Sequence, residues 1–569
     1  MTYEFYNAFM HGRENTRLVT PPEFSKEFPD AVAFEDLPSR DGKGVLKAAY
    51  RDGKGVLRQI YSAAGLDNHA CVVAATRQGK TTSFVIPSII SCAEQKNQKS
   101  LVITDPKGEV YEHTASKLRA NGYTVKLLNF RDFYHTEFWN PMTPIFRKYK
   151  EYMETRQDVS PVKDENGEWA LQYKGKIYRD MEELNLVLDN DTDVLYSEME
   201  NLIDELANQM ITVECLDDPT WELGSRDLLK AVIYGMLEDT ADKRNPMTEE
   251  KFNLDALVSI CLSFSPSESD PDKGYFQNRE EDSKAYNLAK QILLEPGDKT
   301  RSSYVSVFIT KINEYRENVV RTMTRANTIE FSMFTESPDP VALFIVFRDE
   351  VKMQSRTIAL FVQRLYTWLI NEADRHENNR LPRGVLFMLD EFGNMPHLTD
   401  FEKVITTCGA RNIWFSIVLQ SYAQLKNVYG DASEIIMDNM NVHIFMGSNN
   451  LDTLKQFSDE CGKYTRVSGS CITQGTDSAI HDAFFETIPV MPVSTLSSLS
   501  QGDCVITEIN SGYVMFSRLE PYYLCDEYAC EVSSLSDYIS QVSPVDRKYK
   551  YTLTPSCRRR RRFMEDEDY

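Results

Sequence analysis

Short, uninterrupted apolar runs and stretches of helical period alternate in two separate blocks of the chain. In the first block, Cys71-Val72-Val73 is followed by an apolar helical stretch at 83–92. SLVIT at 100–104 comes next, then a helical stretch at 109–120 and an apolar run at 124–128. In the second, VALFIVF at 341–347 precedes a long helical pattern at 353–372. GVLFML at 384–389, IWFSIVL at 413–419 and VHIFM at 442–446 follow, and a helix is predicted at 452–461. Runs without polar alternation belong to strands covered on both faces, as in parallel sheets. The alternation predicts an α/β fold with a parallel-rich sheet.

The two blocks are separated by a different texture. Residues 147–185 are polar, with EWALQYKGKIY at 168–178 reading as a hairpin that turns at Lys174-Gly175. From Asn190 to about Phe334, apolar residues recur at helical spacing over 194–210, 220–237, 253–264, 283–294 and 302–318, with a Ser/Pro/Asp-rich loop at 265–277. The predicted organisation is a nucleotide-binding domain over 67–149 and 336–540. A mostly helical all-α insertion at 150–335, preceded by the hairpin, interrupts it. Residues 1–66 form an extension with a tandem, DGKGVLKAAY at 41–50 and DGKGVLRQI at 52–60, read as a duplication in a surface hairpin. Past residue 465 the pattern weakens, leaving DCVITEI at 503–509 as an edge strand and 541–569 as a disordered tail.

Composition narrows the class. At 569 residues with 42% hydrophobic and 26% charged positions, the chain is globular and long enough for several domains. No window approaches eighteen continuous apolar residues, and the first residues lack a signal-peptide core, so a soluble, non-secreted protein is expected. Eleven cysteines without paired metal spacing read as reduced thiols. A formal charge of −23 excludes a protein that coats DNA with its whole surface, and leaves room for contact confined to a channel or loops. The basic run Arg558–Arg562 is followed at once by Glu565-Asp566-Glu567-Asp568, and self-neutralisation in a tail is preferred over a contact site for lipid or nucleic acid.

Chemistry concentrates where apolar runs end. ACVVAATRQGKTT at 70–82 is a strand, a tight turn and a helix opening on Gly79-Lys80-Thr81, the layout of a phosphate-binding loop. Thr76, Arg77, Gln78, Gly79, Lys80, Thr81 and Thr82 would surround the phosphates, with Lys80 on the β/γ-phosphates and Thr81 on Mg²⁺. Ala74 stands where the motif G-x-x-x-x-G-K-[ST] has glycine, which requires a negative φ there. Gly-Lys-[Ser/Thr] alone arises by chance about 0.3 times in a chain of this length, so a second motif is needed. GVLFMLDE at 384–391 supplies it: an apolar strand delivers Asp390 to hold Mg²⁺ through water and Glu391 to polarise the attacking water. The plainer reading is a pair of acidic helix caps.

Taken together with Asn68-His69, TDPKGE at 104–109, Asn140-Pro141, LDEFGNMP at 389–396, GARNI at 409–413 and LQSYAQL at 419–425, these motifs resemble the coupling-protein ATPases of conjugative type IV secretion. This is the TraG/TraD-type family of hexameric RecA-like DNA motors, and the resemblance covers about residues 68–465. It implies a RecA-like P-loop core with an inserted all-α domain, and ATP and Mg²⁺ as ligands. It also implies a homo-hexamer that moves DNA, single-stranded and relaxase-bound, toward the proteins of a type IV secretion channel. Members commonly carry an N-terminal transmembrane hairpin. None is seen here, so a membrane partner subunit is expected to hold a cytoplasmic protein at the inner face of the membrane.

The resemblance also implies roles for single residues. Gln420 resembles a γ-phosphate sensor, the plainer alternative being a strand-end amide. Arg411 resembles an arginine finger acting across a subunit boundary, against a surface ion pair. Asp105 and Lys107 end a strand at the ligand edge of the sheet, either touching nucleotide indirectly or leaving Lys107 to pair with Glu109. Trp221 reads as core of the helical domain. Two other functions stay open: a RecA-like motor for DNA packaging or segregation, and a non-hydrolysing docking platform ordered by nucleotide.

Overall fold

The computed structural model describes residues 17–27, 31–39, 46–61, 68–163, 169–213, 218–243, 245–264, 274–277, 279–348, 352–474, 477–508 and 512–539. The tail with Arg558–Arg562 and residues 41–45 of the first tandem copy lie outside the described residues. Two compact units partition the chain. Of the described residues, those up to 136 and those within 330–351 and 362–539 form one, and those within 137–329 and 352–361 the other.

The first unit is built on a ten-stranded sheet. Its strands are β1 (Arg17–Val19), β2 (Ala70–Ala74), β3 (Ser100–Asp105), β4 (Thr124–Asn129), β5 (Val341–Val346), β6 (Val385–Leu389), β7 (Ile413–Leu419), β8 (Val442–Gly447), β9 (Asp503–Glu508) and β10 (Tyr513–Arg518). They lie in the order β1-β10-β9-β8-β2-β7-β6-β3-β5-β4. From β8 to β4 all neighbours are parallel, whereas β9 pairs antiparallel with both β8 and β10. The 503–509 segment is therefore not an edge strand: β10 and the short β1 extend the sheet beyond it.

Every residue of β2, β3, β5 and β6 is buried, which is why these runs carry no polar alternation. One face, with Val72, Ile103, Phe344 and Met388, packs on Ile86, Ile89 and Ile90 of the helix after β2. On the other, Phe387 and Phe415 stack at 4.7 Å, and Phe415 meets Tyr366 and Phe401 edge-on. The helix after β2 opens in π form over Lys80–Val85 and continues as α-helix over Ile86–Ala93. Pro87 lies just past the junction of the two forms and has no N–H to give the helix ladder there.

The described part of the N-terminal tandem contains a hairpin. Ala48–Arg51 and Leu57–Ile60 pair antiparallel, and the second DGKG copy forms the turn between them. Asp52 Oδ1 accepts the N–H groups of Lys54 and Val56 at 2.8 and 3.1 Å, and Gly55 takes φ +81°. The second unit is mostly helical, with long helices at Met181–Met210, Thr220–Glu238 and Asp298–Ile312. Its small sheet includes the hairpin turning at Lys174-Gly175, both at positive φ. Thr143–Gln157 is a further helix that runs into the stretch read as polar. Trp221 is half-buried, its ring centroid 4.7 Å from that of Tyr304.

Candidate nucleotide site

The order of the central strands sets the site. β2 delivers the phosphate loop, β6 the carboxylates, and β7 lies between them. Registers Leu419↔Val73 and Leu389↔Ile417 bring their carboxyl ends level, the edge at which open α/β sheets take ligands. The loop turns through Arg77 at φ +70° and Gly79 at φ +87°. Ala74 is the buried last residue of β2 and is not among the positive-φ residues, so a Cβ there meets no backbone objection. Ala75 N–H donates to the Gly447 carbonyl at 2.8 Å, tying the start of the turn to β8. Thr76 and Arg77 are exposed, and Gln78 through Thr82 are half-buried.

Lys80 Nζ lies 3.3 Å from Asp390 Oδ1 and also pairs with Glu391 Oε1. Burial works against the ammonium, and the two carboxylates outweigh it, so the Lys80 pKa is raised. Burial raises the Asp390 carboxyl, with Lys80 opposing and Glu391 reinforcing that direction. Thr81 Oγ1 donates to Asp390 Oδ2 at 3.3 Å, so the two oxygens proposed for Mg²⁺ are adjacent. Thr104 Oγ1 holds the Asp390 carbonyl at 2.9 Å. Among the described residues, no group of three or more His, Cys, Asp or Glu side chains could hold a metal unaided. Magnesium with a nucleotide needs only one or two protein oxygens, and Thr81 with Asp390 fits that set.

Glu391 sits at φ +56°, opening the turn Phe392–Asn394. Gln420, one residue past β7, donates Nε2 to Glu391 Oε2 at 3.0 Å. Lys80, Thr81, Asp390, Glu391 and Gln420 thus converge. Arg411 does not join them: it lies at the amino end of β7, roughly 23 Å of strand from Gln420, with Nε 3.0 Å from Asp374 Oδ1. Asp105 turns inward and accepts the N–H groups of Gly108 and Tyr111 at 2.8 and 2.9 Å. Burial pushes its carboxyl up to about 7. Its place is to cap the helix Glu109–Glu112, while Lys107 is exposed and its carbonyl accepts from Arg131 at 3.1 Å. Asn394, which borders Glu391, and Gln424, which borders Asn394, were assigned no role by sequence reasoning. The available signal was an amide three residues after Glu391 and another four after Gln420.

Comparison with known proteins gives the family and the fold. The family described as type IV secretory system conjugative DNA transfer matches residues 33–482, well over half of the chain. VirD4 of Agrobacterium fabrum is 23% identical over 415 residues, covering 71% of this chain and 51% of that protein. The conjugal transfer protein TraG of Escherichia coli is 22% identical over 422 residues, covering 72% and 57%. The chain therefore spans about half the length of the curated relatives it matches. Among solved structures, the conjugative coupling protein TrwB without its first 70 residues superposes with a TM-score of 0.58 at 13% identity. That match covers 89% of this chain and 92% of the other, and carries the RecA-like α/β fold. TrwB has also been solved with the ATP analogue ADPNP and with ADP and Mg²⁺. The chain belongs to the type IV secretory system conjugative DNA transfer family.

Proposed function

We propose that this protein is an ATPase that couples hydrolysis to moving DNA, as a relaxase-bound single strand, into a type IV secretion channel. The observation that carries the reading is the bracketing of Lys80 by Asp390 and Glu391, with Gln420 on the far side of Glu391. The two carboxylates supply Lys80 with the kind of counter-charge that phosphates would also supply. Bound ATP with Mg²⁺ brings the γ-phosphoryl group and the metal charge that make phosphoryl transfer feasible. Lys80 then turns from the carboxylates to the β/γ-phosphates, and the N–H groups of Thr76 to Thr82 line the phosphate path. Thr81 and Asp390 would hold the metal, Asp390 through water. Glu391, released from Lys80, orients and deprotonates the attacking water, and Gln420 reports on the γ-phosphate.

Arg411 is proposed to serve a neighbouring subunit in a homo-hexamer, since it starts at the edge of the sheet opposite its own site. A loop-lined pore through such a ring would let DNA pass despite the net charge of −23. No described helix is long and apolar enough to cross a membrane, and a membrane partner subunit is proposed to place the ring at the channel. The test is steady-state ATPase activity with and without single-stranded DNA. Hydrolysis is expected, raised by DNA, and Glu391→Gln is expected to bind ATP while turnover stalls. Wild-type turnover by Glu391→Gln would remove Glu391 as the base.

A further inference from the structure

Besides Lys80, Glu391 receives two amide donors. Its Oε2 accepts Gln420 Nε2 at 3.0 Å and Asn394 Nδ2 at 3.3 Å, while Oε1 is paired with Lys80. The Asn394 amide is itself held, because its Oδ1 accepts Gln424 Nε2 at 3.4 Å. Gln424 is held in turn, its Oε1 accepting the backbone N–H of Gln420 at 2.9 Å. Each amide presents oxygen to a donor and nitrogen to an acceptor, so the chain runs with one polarity from the end of β7 through Gln424 and Asn394 to Glu391. The turn is shaped for this. A Cβ on Gly393 would come within 2.6 Å of Gln424 Oε1 and 2.8 Å of its Cβ, so a side chain there would lift Gln424 off the turn. Glu391 at φ +56° occupies a left-handed conformation that a non-glycine residue keeps only when its surroundings hold it.

We infer that Asn394 and Gln424 are positioning residues for Glu391, an inference that rests on the proposed role of Glu391 as the base. The two carboxylate oxygens then have separate tasks. Oε2 stays fixed by Gln420 and Asn394, and Oε1 exchanges Lys80 for the attacking water once Lys80 moves to phosphate. With Oε2 anchored, loss of Lys80 does not free the carboxylate to rotate. Because Gln424 bonds the Gln420 backbone, a shift at the end of β7 is passed to Glu391 through two side chains as well as through Gln420 itself.

The experiment measures kcat, KM and Mg²⁺-dependent binding of a fluorescent ATP analogue on the full chain. Asn394→Ala and the isosteric Asn394→Asp, which removes the donor, are each expected to lower kcat about 10- to 100-fold with analogue affinity unchanged. Gln424→Ala is expected to lower kcat less. The double variant Asn394→Ala/Gln424→Ala should be no slower than Asn394→Ala alone, because the two residues act in series. Wild-type kcat in Asn394→Asp, a rise in KM alone, or losses that simply multiply in the double variant would overturn the inference. If Asn394→Ala melts, Asn394→Asp decides. Glu391→Gln separates the two levels: stalled turnover there with full turnover in Asn394→Asp rejects the relay and keeps the base, whereas full turnover in Glu391→Gln rejects the base itself.

Discussion

At the carboxyl ends of the strands, Lys80 is held by two carboxylates, Asp390 and Glu391. At the amino ends of the same sheet Arg383 and Arg380 are held differently. Arg383 donates to the carbonyls of Ser337 and Asp339 at 3.0 and 2.7 Å. Arg380 donates to the Ala410 carbonyl and to Asn412 Oδ1 at 3.3 and 3.1 Å. An ion held by ions can change partner when a polyanion arrives, because the incoming charge replaces the outgoing one. A guanidinium spread over neutral carbonyls stitches loops together and gains little from leaving. Lys80 is therefore exchangeable, whereas Arg380 and Arg383 make a fixed stretch of the amino edge, and Arg411 beside them differs in having a carboxylate partner, Asp374.

The comparison breaks most sharply at Lys80. Lys80→Ala should abolish turnover and weaken binding of a fluorescent ATP analogue about 10- to 100-fold, with circular dichroism unchanged. Unaltered binding would mean that the carboxylates, not phosphates, are the proper partners of Lys80.

Arg411 gives the next largest effect. An inserted guanidinium can supply roughly 10³–10⁵ in rate, and a finger lent by a neighbour makes that gain depend on assembly. Arg411→Ala and Glu391→Gln subunits should each be inactive alone. Mixed, they create boundaries where an intact Glu391 faces an intact Arg411, and ATPase activity should return. No recovery in mixtures whose co-assembly is confirmed by tag pull-down would leave Arg411 as a local ion pair.

Legibility followed the same division. The parallel strands β2, β3, β5, β6, β7 and β8 announce themselves as apolar runs because both faces are covered, and the residues at their carboxyl ends follow by position. β9 and β10 carry half-buried positions and β1 has three residues, too little pattern to show that they continue the sheet. The helix Thr143–Gln157 buries Thr143, Ile145 and Phe146 at one end, so its polar remainder hid it. The paired strands Lys463–Gln474 and Asp477–Pro489 also escaped the reading. Lys80, Asp390, Glu391 and Gln420 were legible because motif and strand end coincide. Asn394 and Gln424 were not, since their importance lies in which way an amide faces across two elements.

On the fixed edge, His69 offers a stability test. It precedes β2, and its Nδ1 accepts the Phe415 N–H at 3.0 Å, which requires the neutral ring. Burial lowers its pKa from 6.5 to about 4. The unfolded chain therefore binds more protons than the native one between these values. Stability is full above about 6.5 and is lost as pH falls toward 4, by at most about 3 kcal/mol. Its neighbour Cys408, 3.7 Å from Nε2, does not titrate in this window, since burial pushes its thiol up to about 12. His69→Asn keeps an acceptor without the titration, and its melting temperature should depend less on pH between 4 and 6.5. An unchanged pH slope would place the acid sensitivity elsewhere.

The smallest effect is expected where Arg411 meets Asp374. The pair is partly exposed, with side-chain accessibilities of 25% and 46%, and Arg411 also donates to the Thr407 carbonyl at a long 3.4 Å. Water screens such a pair, and its worth to the folded subunit should stay below about 1 kcal/mol. Arg411→Ala and Asp374→Ala should each shift the denaturation midpoint slightly, and the double variant should show a coupling of a few tenths of a kcal/mol. This small number decides how the mixing experiment is read. If Arg411→Ala leaves the subunit folded and still eliminates turnover, the lost rate belongs to a site other than the ion pair, and restoration by a Glu391→Gln partner locates that site across the boundary. A loss of several kcal/mol on removing Arg411 would instead make it part of the fixed edge, stitching the turn Gly409–Arg411 to Asp374, the residue after the helix Lys352–Ala373.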